Sequence, residues 1–291
     1  MTSYIVLYNP FAGNGRGEEN ARSIENFLPG EDLRFYDMTQ IQNYGDFFRA
    51  LGDDDTVILA GGDGTLNRFV NDTAGLSLPQ DIFYYAAGSG NDFLRDLERK
   101  KEDGIVRIDP YLDSLPQVTV NGKTFRFLNG VGFGIDGYCC ETGDALREKS
   151  NKPVNYTAIA VKGLLFHYKP TNAVVTVDGQ QHAYQKVWLA PTMYGRFYGG
   201  GMMPTPDQDR KGPDKTVSTM VFFGSGKLKT LMVFPSIFKG EHIQHREMVD
   251  VLTGHTISVE FDRPTPIQID GETISGVTGY QVTSPALSCA C

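Results

Sequence analysis

The first hundred or so residues alternate short apolar runs with segments whose apolar positions recur at helical spacing, and this alternation constrains the fold more than any other feature. Such a pattern is typical of an α/β domain with a mainly parallel sheet and flanking helices. The predicted strands span residues 4–8, 33–36, 56–60, 82–86 and 105–108. The predicted helices span residues 18–28, 44–51 and about 66–73, and residues 88–92 open another.

The pattern changes near residue 115, after which strand-like stretches are broken by Gly, Asn and Pro. This predicts a β-rich, sandwich-like second domain. We place the α/β domain at residues 1–115 and the β-rich domain at 116–282, with residues 283–291 expected to return to the first. The later strands are predicted over residues 118–120, 124–128, 173–177, 186–190, 217–223, 256–261 and 266–269. Helical interruptions are predicted at residues 155–168 and 227–239.

Composition excludes several other classes of protein. The formal net charge of −8 over 291 residues disfavours wholesale nucleic-acid binding. No apolar run reaches the roughly 20 residues of a membrane span, and the N-terminus lacks the basic start of a signal peptide. The four cysteines, at 139, 140, 289 and 291, have neither metal-site nor secreted-disulfide spacing. We therefore expect a cytoplasmic protein with free thiols.

The strongest candidate for chemistry is the GGDGT segment at residues 61–65, which directly follows the third strand. Glycines let backbone N–H groups approach phosphate oxygens, and the start of the next helix adds a favourable dipole. The carboxylate of Asp63 beside phosphate requires a cation, which favours a magnesium-bound nucleotide. The alternative is an ordinary strand-to-helix turn with an Asp cap.

Two further loops have the same character. The GSGND segment at residues 88–92 follows the fourth strand, and the NPFAGNG segment at residues 9–15 follows the first. In a parallel sheet all these turns lie at the carboxyl edge, where ligands bind. None of them is a Walker A motif or a G-x-G-x-x-G fingerprint, so the sequence predicts a phosphate site of another kind.

These three segments resemble the diacylglycerol kinase catalytic family, which includes bacterial soluble lipid kinases and the sphingosine and ceramide kinases. The resemblance continues in order through FLNGVGFGID at residues 127–136, GGGM at 199–202 with Pro206-Asp207, and DGE at 270–272. It implies a nucleotide-binding α/β domain, a β-rich lipid-substrate domain and an active site in the cleft between them. It also implies transfer of the γ-phosphate of ATP to a lipid hydroxyl, with Mg²⁺ required and diacylglycerol favoured as acceptor.

The resemblance also assigns residues. Ser89 takes a position that the family usually gives to Thr, and Asp63 joins the network around the metal and phosphates. The nucleotide-binding residues it implies are Asn9, Thr39, Gly61, Gly62, Asp63, Gly64, Thr65, Asn67, Gly88, Ser89 and Asn91.

Asp270 and Glu272 are the candidate acid–base pair, because a hydroxyl attacking phosphorus gains from a carboxylate acceptor. On spacing alone, a solvated hairpin turn is the stronger interpretation, since Asp-Gly is a common turn signal. The family resemblance reverses that preference.

One segment departs from the family pattern. The family has a D-G dipeptide after the GGGM block, where acids bind a structural Mg²⁺, and this chain lacks it. Asp209 and Asp214 are the candidate ligands, and a charged surface loop is the alternative.

Two rival functions remain. An NAD kinase-like enzyme shares GGDGT but usually carries an Asn-Glu pair where this chain has Asn91-Asp92. A non-catalytic nucleotide or lipid sensor is favoured only by the altered metal segment. The Lys-flanked apolar stretch 227–239 is either an interfacial element or a helix packed on the sandwich. We expect peripheral association with the membrane that holds the lipid substrate, and a homodimer is also considered.

Overall fold

The structure is a computed structural model that describes residues 3–52, 54–78, 80–88, 90–149, 154 and 156–288, with the backbone alone described at residues 14, 148, 157 and 288. The chain divides into two compact units, Met1–Asp113 and Ser114–Cys291. This division lies next to the boundary expected near residue 115.

The first unit is built on a five-stranded sheet of order β2-β1-β3-β4-β5. β1 to β4 are parallel, whereas β5 runs antiparallel to β4. The predicted α/β domain with a parallel sheet is confirmed, and only the last strand departs from it. The strands are β1 (Tyr4–Tyr8), β2 (Leu33–Asp37), β3 (Thr56–Gly61), β4 (Ile82–Ala86) and β5 (Ile105–Arg107).

Helices follow the strands, but several are shorter than predicted. The helix expected over residues 18–28 ends at Arg22 and continues as a 3-10 turn, Ser23–Asn26. Ala21 and Ile24 pack with Val6 and Ile58 in the core of this unit. The α-helices are α1 (Ala12–Gly15), α2 (Gly17–Arg22), α3 (Tyr44–Arg49), α4 (Asp63–Asp72), α5 (Asp92–Asp96) and α6 (Asp109–Leu112). Further 3-10 turns are Met38–Gln40 and Lys101–Asp103.

The second unit is a β-rich domain, as predicted. Its main sheet has the order β13-β12-β11-β8-β14-β15-β6-β7, and β9 pairs with both β14 and β10. The first five strands are β6 (Gln117–Val120), β7 (Lys123–Arg126), β8 (Gly130–Phe133), β9 (Thr171–Val177) and β10 (Gln180–Val187). The others are β11 (Thr192–Met193), β12 (Val217–Phe222), β13 (Val249–Gly254), β14 (Thr256–Ile269) and β15 (Glu272–Thr283).

Helical segments of this unit bury one side in a common core around Trp188, with Ile159, Leu164, Val233 and Ile237. No helix among the described residues is both long enough and apolar enough to cross a membrane. The helices are α7 (Ile135–Lys149), α8 (Tyr156–Lys162), α9 (Lys227–Val233) and α10 (Pro285–Ser288). A π-helical turn, Gly163–His167, continues α8, and a 3-10 helix, Phe234–Lys239, continues α9. A further 3-10 turn spans Glu241–Gln244.

Several predicted elements in this unit were wrong in extent. The two strands expected over residues 256–261 and 266–269 are one strand, β14, whose pairing with β15 shifts register between Glu260 and Thr265. β10 ends at Val187, whereas a strand was expected over 186–190. Helix α7 was missed because its sequence contains Gly137, Gly143 and two cysteines, which are weak helix formers.

The end of the described chain also differs from expectation. Residues 283–288 lie in the second unit rather than returning to the first. The backbone N–H of Ser284 donates to the carbonyl oxygen of His255 at 2.8 Å, which ties the end of β15 to the start of β14. Cys289 and Cys291 lie outside the described residues, whereas Cys139 and Cys140 are free thiols.

Candidate active site

The candidate nucleotide site of the first unit lies at one edge of its sheet. Because β1 to β4 are parallel, the loops that follow them all leave the sheet at its carboxyl edge. Asn9 follows β1, Thr39 follows β2, and the GGDGT and GSGND segments follow β3 and β4. The fold therefore gathers at one edge the loops that the sequence singled out.

The two glycine segments are packed backbone to backbone. A Cβ atom added at Gly88 would lie 2.4 Å from the Cα of Gly62, and one added at Gly62 would lie 3.0 Å from the carbonyl oxygen of Gly90. The carbonyl oxygen of Gly61 accepts hydrogen bonds from the N–H groups of Ala87 and Gly88, both at 2.9 Å. The segments thus form a single backbone surface that side chains at these glycines would push apart.

The start of α4 is open to a ligand. No side chain caps this ten-residue helix, whose N-cap residue Gly62 has an extended backbone. A Cβ atom added at Gly64, in the first turn, would meet nothing within 4 Å. In this turn the N–H of Asp63 donates to the carbonyl oxygen of Gly90 at 3.4 Å, and the N–H of Thr65 donates to that of Gly62 at 3.0 Å. The N–H of Gly64 has no acceptor among the described residues, and open space beside such a donor at a helix start suits a phosphate group.

Asp63 joins the two glycine segments. Its carboxylate accepts hydrogen bonds from the backbone N–H of Asp92 at 2.8 Å and of Phe93 at 3.1 Å. These N–H groups belong to the first turn of α5, so Asp63 caps that helix. The Asp cap considered at the sequence level is therefore present, but it stabilises α5 rather than the helix that contains Asp63.

Tyr84 and Asn91 hold the same two loops in place through side-chain hydrogen bonds. The Tyr84 hydroxyl lies 2.9 Å from the carbonyl oxygen of Gly61 and 3.0 Å from Oδ1 of Asn91. Nδ2 of Asn91 donates to the carbonyl oxygen of Gly88 at 3.2 Å. Burial, and then the charge of Asp63, raise the pKa of Tyr84, which keeps its hydroxyl protonated as a donor.

Asn9 and Thr39 are held by local hydrogen bonds. Oδ1 of Asn9 accepts from the backbone N–H of Phe11 at 3.0 Å. The backbone N–H and the hydroxyl of Thr39 donate to Oδ1 of Asp37 at 2.8 and 2.7 Å. Both predicted residues therefore stabilise the turns that follow β1 and β2.

Thr65 and Asn67 lie inside the first unit rather than on its surface. Thr65 is only 3% exposed, and its hydroxyl lies against Gly61, where a Cβ would approach Oγ1 to 2.2 Å. Asn67 is also buried, and its backbone carbonyl accepts a hydrogen bond from Nδ2 of Asn71 at 2.9 Å. Ser89, the remaining nucleotide-site prediction, lies outside the described residues.

In the second unit, the predicted acid–base pair lies in the turn between β14 and β15. Asp270 and Gly271 both have positive φ, 46° and 97°, and the N–H of Gly271 donates to Oε1 of Gln268 at 2.6 Å. Glu272 is the first residue of β15 and is exposed. Among the described residues, no hydrogen bond or ion pair engages the carboxylate of Glu272, so it is available to a substrate.

The side chain of Asp270 is engaged within the protein. Its carboxylate accepts hydrogen bonds from three successive backbone N–H groups, those of Leu128 at 2.5 Å, Asn129 at 2.8 Å and Gly130 at 2.9 Å. The backbone N–H of Asp270 donates in return to the carbonyl oxygen of Gly130 at 3.0 Å. Asp270 therefore fixes the turn to the start of β8, and Glu272 is the carboxylate left free to act.

Asp136 is a titratable group that the site prediction did not include. It is 7% exposed, at the start of α7, and accepts from the N–H of Gly137 at 2.9 Å and from the hydroxyl of Tyr198 at 3.3 Å. Burial raises its pKa to about 6. The signal was present in the sequence, since Asp136 ends the FLNGVGFGID segment.

The predicted metal ligands do not assemble into a metal site. Asp209 and Asp214 are both exposed on a groove of about 670 Å³, and Oδ1 of Asp209 accepts from the backbone N–H of Lys211 at 2.8 Å. Nowhere in the described part of the chain do three or more His, Cys, Asp or Glu residues cluster as metal ligands would. Asp209 and Asp214 therefore stay candidate ligands, with a charged surface loop as the alternative.

A buried cation of the protein itself lies in that loop. Arg210 is 3% exposed, and its guanidinium donates to Oδ1 of Asn129 at 3.1 Å and lies 5.6 Å from the ring centre of Tyr194. A second cation, Lys215, donates to the carbonyl oxygen of Arg210 at 3.1 Å. Side-chain cations thus help to hold this loop to the rest of the second unit.

Comparisons with known proteins agree with this division. Residues 3–117 match the family model of the diacylglycerol kinase catalytic domain. Residues 129–288 match the model of the YegS C-terminal NAD kinase beta sandwich-like domain.

Individual relatives are distant. The chain is 25% identical to a diacylglycerol kinase of Mycobacterium tuberculosis over 213 residues, which cover 71% of this chain and 67% of that protein. It is 24% identical to a diacylglycerol kinase of Bacillus subtilis over 229 residues, covering 77% and 73%. A crystal structure of a diacylglycerol kinase from Bacillus anthracis superposes with a TM-score of 0.59 at 20% identity, covering 97% of this chain and 93% of that one. At that identity the superposition shows a common fold.

Proposed function

Because this chain belongs to the diacylglycerol kinase-like family, which joins a diacylglycerol kinase catalytic domain to a YegS-type C-terminal domain, we propose that it is an ATP-dependent lipid kinase. It transfers the γ-phosphate of ATP to the hydroxyl group of a lipid alcohol. Diacylglycerol is the proposed acceptor. The first unit binds ATP, and the second unit supplies the lipid site and the base.

The observation that carries the proposal is the open start of α4 on a surface of packed glycine backbone. In phosphoryl transfer the protein contributes mainly by positioning the phosphates and stabilising their charge. Backbone N–H groups at Gly62 and Gly64 need no rearrangement to do this, because the contacts of Gly88 with Gly62 fix the loop. A phosphate chain can therefore dock on preorganised donors.

Glu272 is the proposed base. A lipid hydroxyl is not ionised near neutral pH, and in a loose transition state its proton leaves late. An exposed carboxylate held at the start of a strand can orient that hydroxyl and accept its proton as the bond to phosphorus forms. Asp270 positions Glu272, because its three N–H contacts hold the backbone of the turn.

Magnesium enters this proposal only as the counter-ion that ATP brings with it. Both carboxylate oxygens of Asp63 are engaged by the start of α5, and no group of three or more metal-ligating side chains lies in the described part of the chain. We therefore expect the Mg²⁺ dependence of activity to follow the formation of the Mg–ATP complex. An additional Mg²⁺ requirement at saturating Mg–ATP would contradict this part of the proposal.

The test is a phosphate-transfer assay with γ-labelled ATP and a panel of acceptors in mixed micelles. The panel contains diacylglycerol, sphingosine, ceramide, undecaprenol and NAD. Labelled phosphatidic acid is the expected product, and Glu272→Gln serves as the matched inactive control. Labelled NADP would instead identify an NAD kinase-like enzyme. ATP binding without transfer to any acceptor would identify a nucleotide sensor.

A further inference from the structure

Two helical segments of the second unit carry large apolar side chains that its core does not use. α8 and the π-helical turn after it bury one side through Ile159 and Leu164. α9 and its 3-10 continuation bury one side through Val233 and Ile237. Their outward sides carry Phe166 at 73% exposure, Leu228 at 73%, Met232 at 75% and Phe238 at 43%. Exposed apolar side chains in a group indicate a binding surface.

The two segments adjoin each other. Nζ of Lys227, the first residue of α9, donates to the carbonyl oxygen of Leu165 at 2.7 Å. Leu228 therefore follows a residue that contacts the turn in which Phe166 lies. Met232 is one helical turn beyond Leu228, on the same side of α9. We call Phe166, Leu228, Met232 and Phe238 together the apolar face.

Lysines lie on the same segments as the apolar face, although the whole chain has a net charge of −8. Lys162, Lys227, Lys229 and Lys239 lie on the same two helical segments and are exposed. Lys229 is paired with Glu247 at 2.8 Å, and the segments 156–169 and 227–239 contain no Asp or Glu. These two segments thus carry a net positive charge, opposite in sign to the net charge of the whole chain.

A basic cavity continues this surface. It has a volume of about 250 Å³, and its lining includes His167, Lys169 and Arg263. His167 directly follows Phe166 in the sequence, and Lys169 lies three residues after Phe166. The guanidinium of Arg263 donates to the carbonyl oxygen of Lys169. The hydroxyl of Tyr168, which also lines the cavity, is buried and has no hydrogen-bond partner among the described residues. The cavity offers donors to an anionic group.

We propose that the apolar face docks this protein on a bilayer that contains anionic lipids. Apolar side chains would enter the boundary between headgroups and acyl chains, while the lysines and the basic cavity contact lipid phosphates. A second copy of the chain is the less favourable occupant. In a two-fold symmetric dimer each face would meet its own copy, and the lysines would repel one another.

Docking does not depend on the kinase reaction, so it is measured without ATP. The full chain is sedimented with vesicles of phosphatidylcholine alone or of phosphatidylcholine mixed with phosphatidylglycerol. The wild type should bind the mixed vesicles and bind the neutral ones much more weakly. The double variant Leu228→Asp, Met232→Asp should bind the mixed vesicles about a hundredfold more weakly, because each lost side chain contributes about tenfold.

The matched control is Leu146→Asp, Leu287→Asp, which makes the same charge change at two exposed leucines outside the apolar face. It should bind like the wild type. A third variant, Lys162→Gln, Lys239→Gln, should lose most of its preference for phosphatidylglycerol. Circular dichroism melting of each variant shows whether it is folded.

Three results would overturn the proposal. The first is a wild type that ignores mixed vesicles, and the second is equal weakening by the Leu228, Met232 pair and the Leu146, Leu287 pair. The third is a wild-type dimer in light scattering that the Leu228, Met232 variant dissociates while vesicle binding stays unchanged. Vesicle binding by a protein without kinase activity would leave the docking proposal standing and refute the proposed function.

Discussion

Asp63, in the GGDGT loop of the first unit, and Asp270, in the D-G-E turn of the second, have a common structural role. Each accepts hydrogen bonds from backbone N–H groups of another segment. Asp63 accepts at least two, from the start of α5, and Asp270 accepts at least three, from residues 128–130. They differ in their neighbours. Asp63 lies beside the open start of α4, whereas Asp270 lies two residues before an exposed carboxylate, Glu272. In both segments this acid holds backbone in place. The open start of α4 and the carboxylate of Glu272 are then left for phosphate binding and proton transfer.

Glu272→Gln tests that division most directly. Glutamine keeps the size and one acceptor oxygen but cannot take up the proton, so we expect kcat to fall by about 10²–10⁴-fold with nearly unchanged ATP affinity. ATP binding and phosphorylated lipid should be measured on one protein sample. Retention of more than about a third of the wild-type kcat, with chemistry rate-limiting, would place the base elsewhere.

Asp270→Ala should act on stability instead. It leaves three backbone N–H groups without their acceptor, and we expect the free energy of unfolding of the second unit to fall by about 3 kcal/mol or more. Asp63→Ala, which frees two such groups, should cost the first unit less, on the order of 2 kcal/mol. Urea titrations followed separately for each transition would measure both values. An equal or reversed order would break the comparison.

Asp136 provides the opposite case, an acid whose pKa is raised by burial although it accepts hydrogen bonds. Its pKa is raised from 3.8 to about 6 by burial, so the folded protein binds more protons than the unfolded chain between these values. The wild type should therefore lose stability as pH rises from 4 to about 6, by at most about 3 kcal/mol. In Asp136→Asn this loss should be absent. Guanidinium titrations at pH 4, 5, 6 and 7 would show the difference between variant and wild type growing over that window.

A second variant sharpens the Asp136 prediction. The hydroxyl of Tyr198 donates to Asp136 and lowers its pKa against the larger effect of burial. Tyr198→Phe removes this donor, and the fall in stability should then extend to higher pH. An unchanged window would show that the hydroxyl does not interact with the carboxylate in solution.

The last comparison concerns two glycines of the first unit. Gly88→Ala should cost about 1–3 kcal/mol in stability, because its Cβ would lie 2.4 Å from the Cα of Gly62.

Gly64→Ala should leave stability equal or up to about 1 kcal/mol higher, since its Cβ meets open space within a helix. The same methyl group would occupy space proposed for phosphate, and we expect ATP to bind roughly three- to tenfold more weakly. Thermal melting and calorimetric titration with ATP separate the two effects, and full ATP affinity in Gly64→Ala would move the phosphates away from α4.

The α/β part of the fold could be predicted because its strands and loops are defined by neighbouring residues. Each of β1 to β4 is an apolar run that ends in turn-forming residues, so local sequence was sufficient. The contact of Gly62 with Gly88 was not predictable in detail, since it depends on the register of β3 against β4. The sequence indicated a shared edge, and the structure adds the fit of the two loops.

The roles of the acids depend on distant partners and could not be predicted from spacing. The N–H groups that donate to Asp270 lie about 140 positions earlier in the chain, and no local sequence pattern connects those residues with Asp270. β15 was missed for a related reason. Its Gly276 and Gly279 interrupt the apolar alternation, and pairing with β14 and β6 stabilises the strand instead.

The position of β14 and β15 in the second sheet determines how late in synthesis that sheet can be completed. These last two strands lie between β8 and β6, and β9 also pairs with β14. Three strands made much earlier therefore each keep an unsatisfied edge until the ribosome has passed residue 283, the end of β15. The sheet of the first unit needs only the strands up to Arg107. The second unit is thus the part of the nascent protein that needs protection from aggregation for longest.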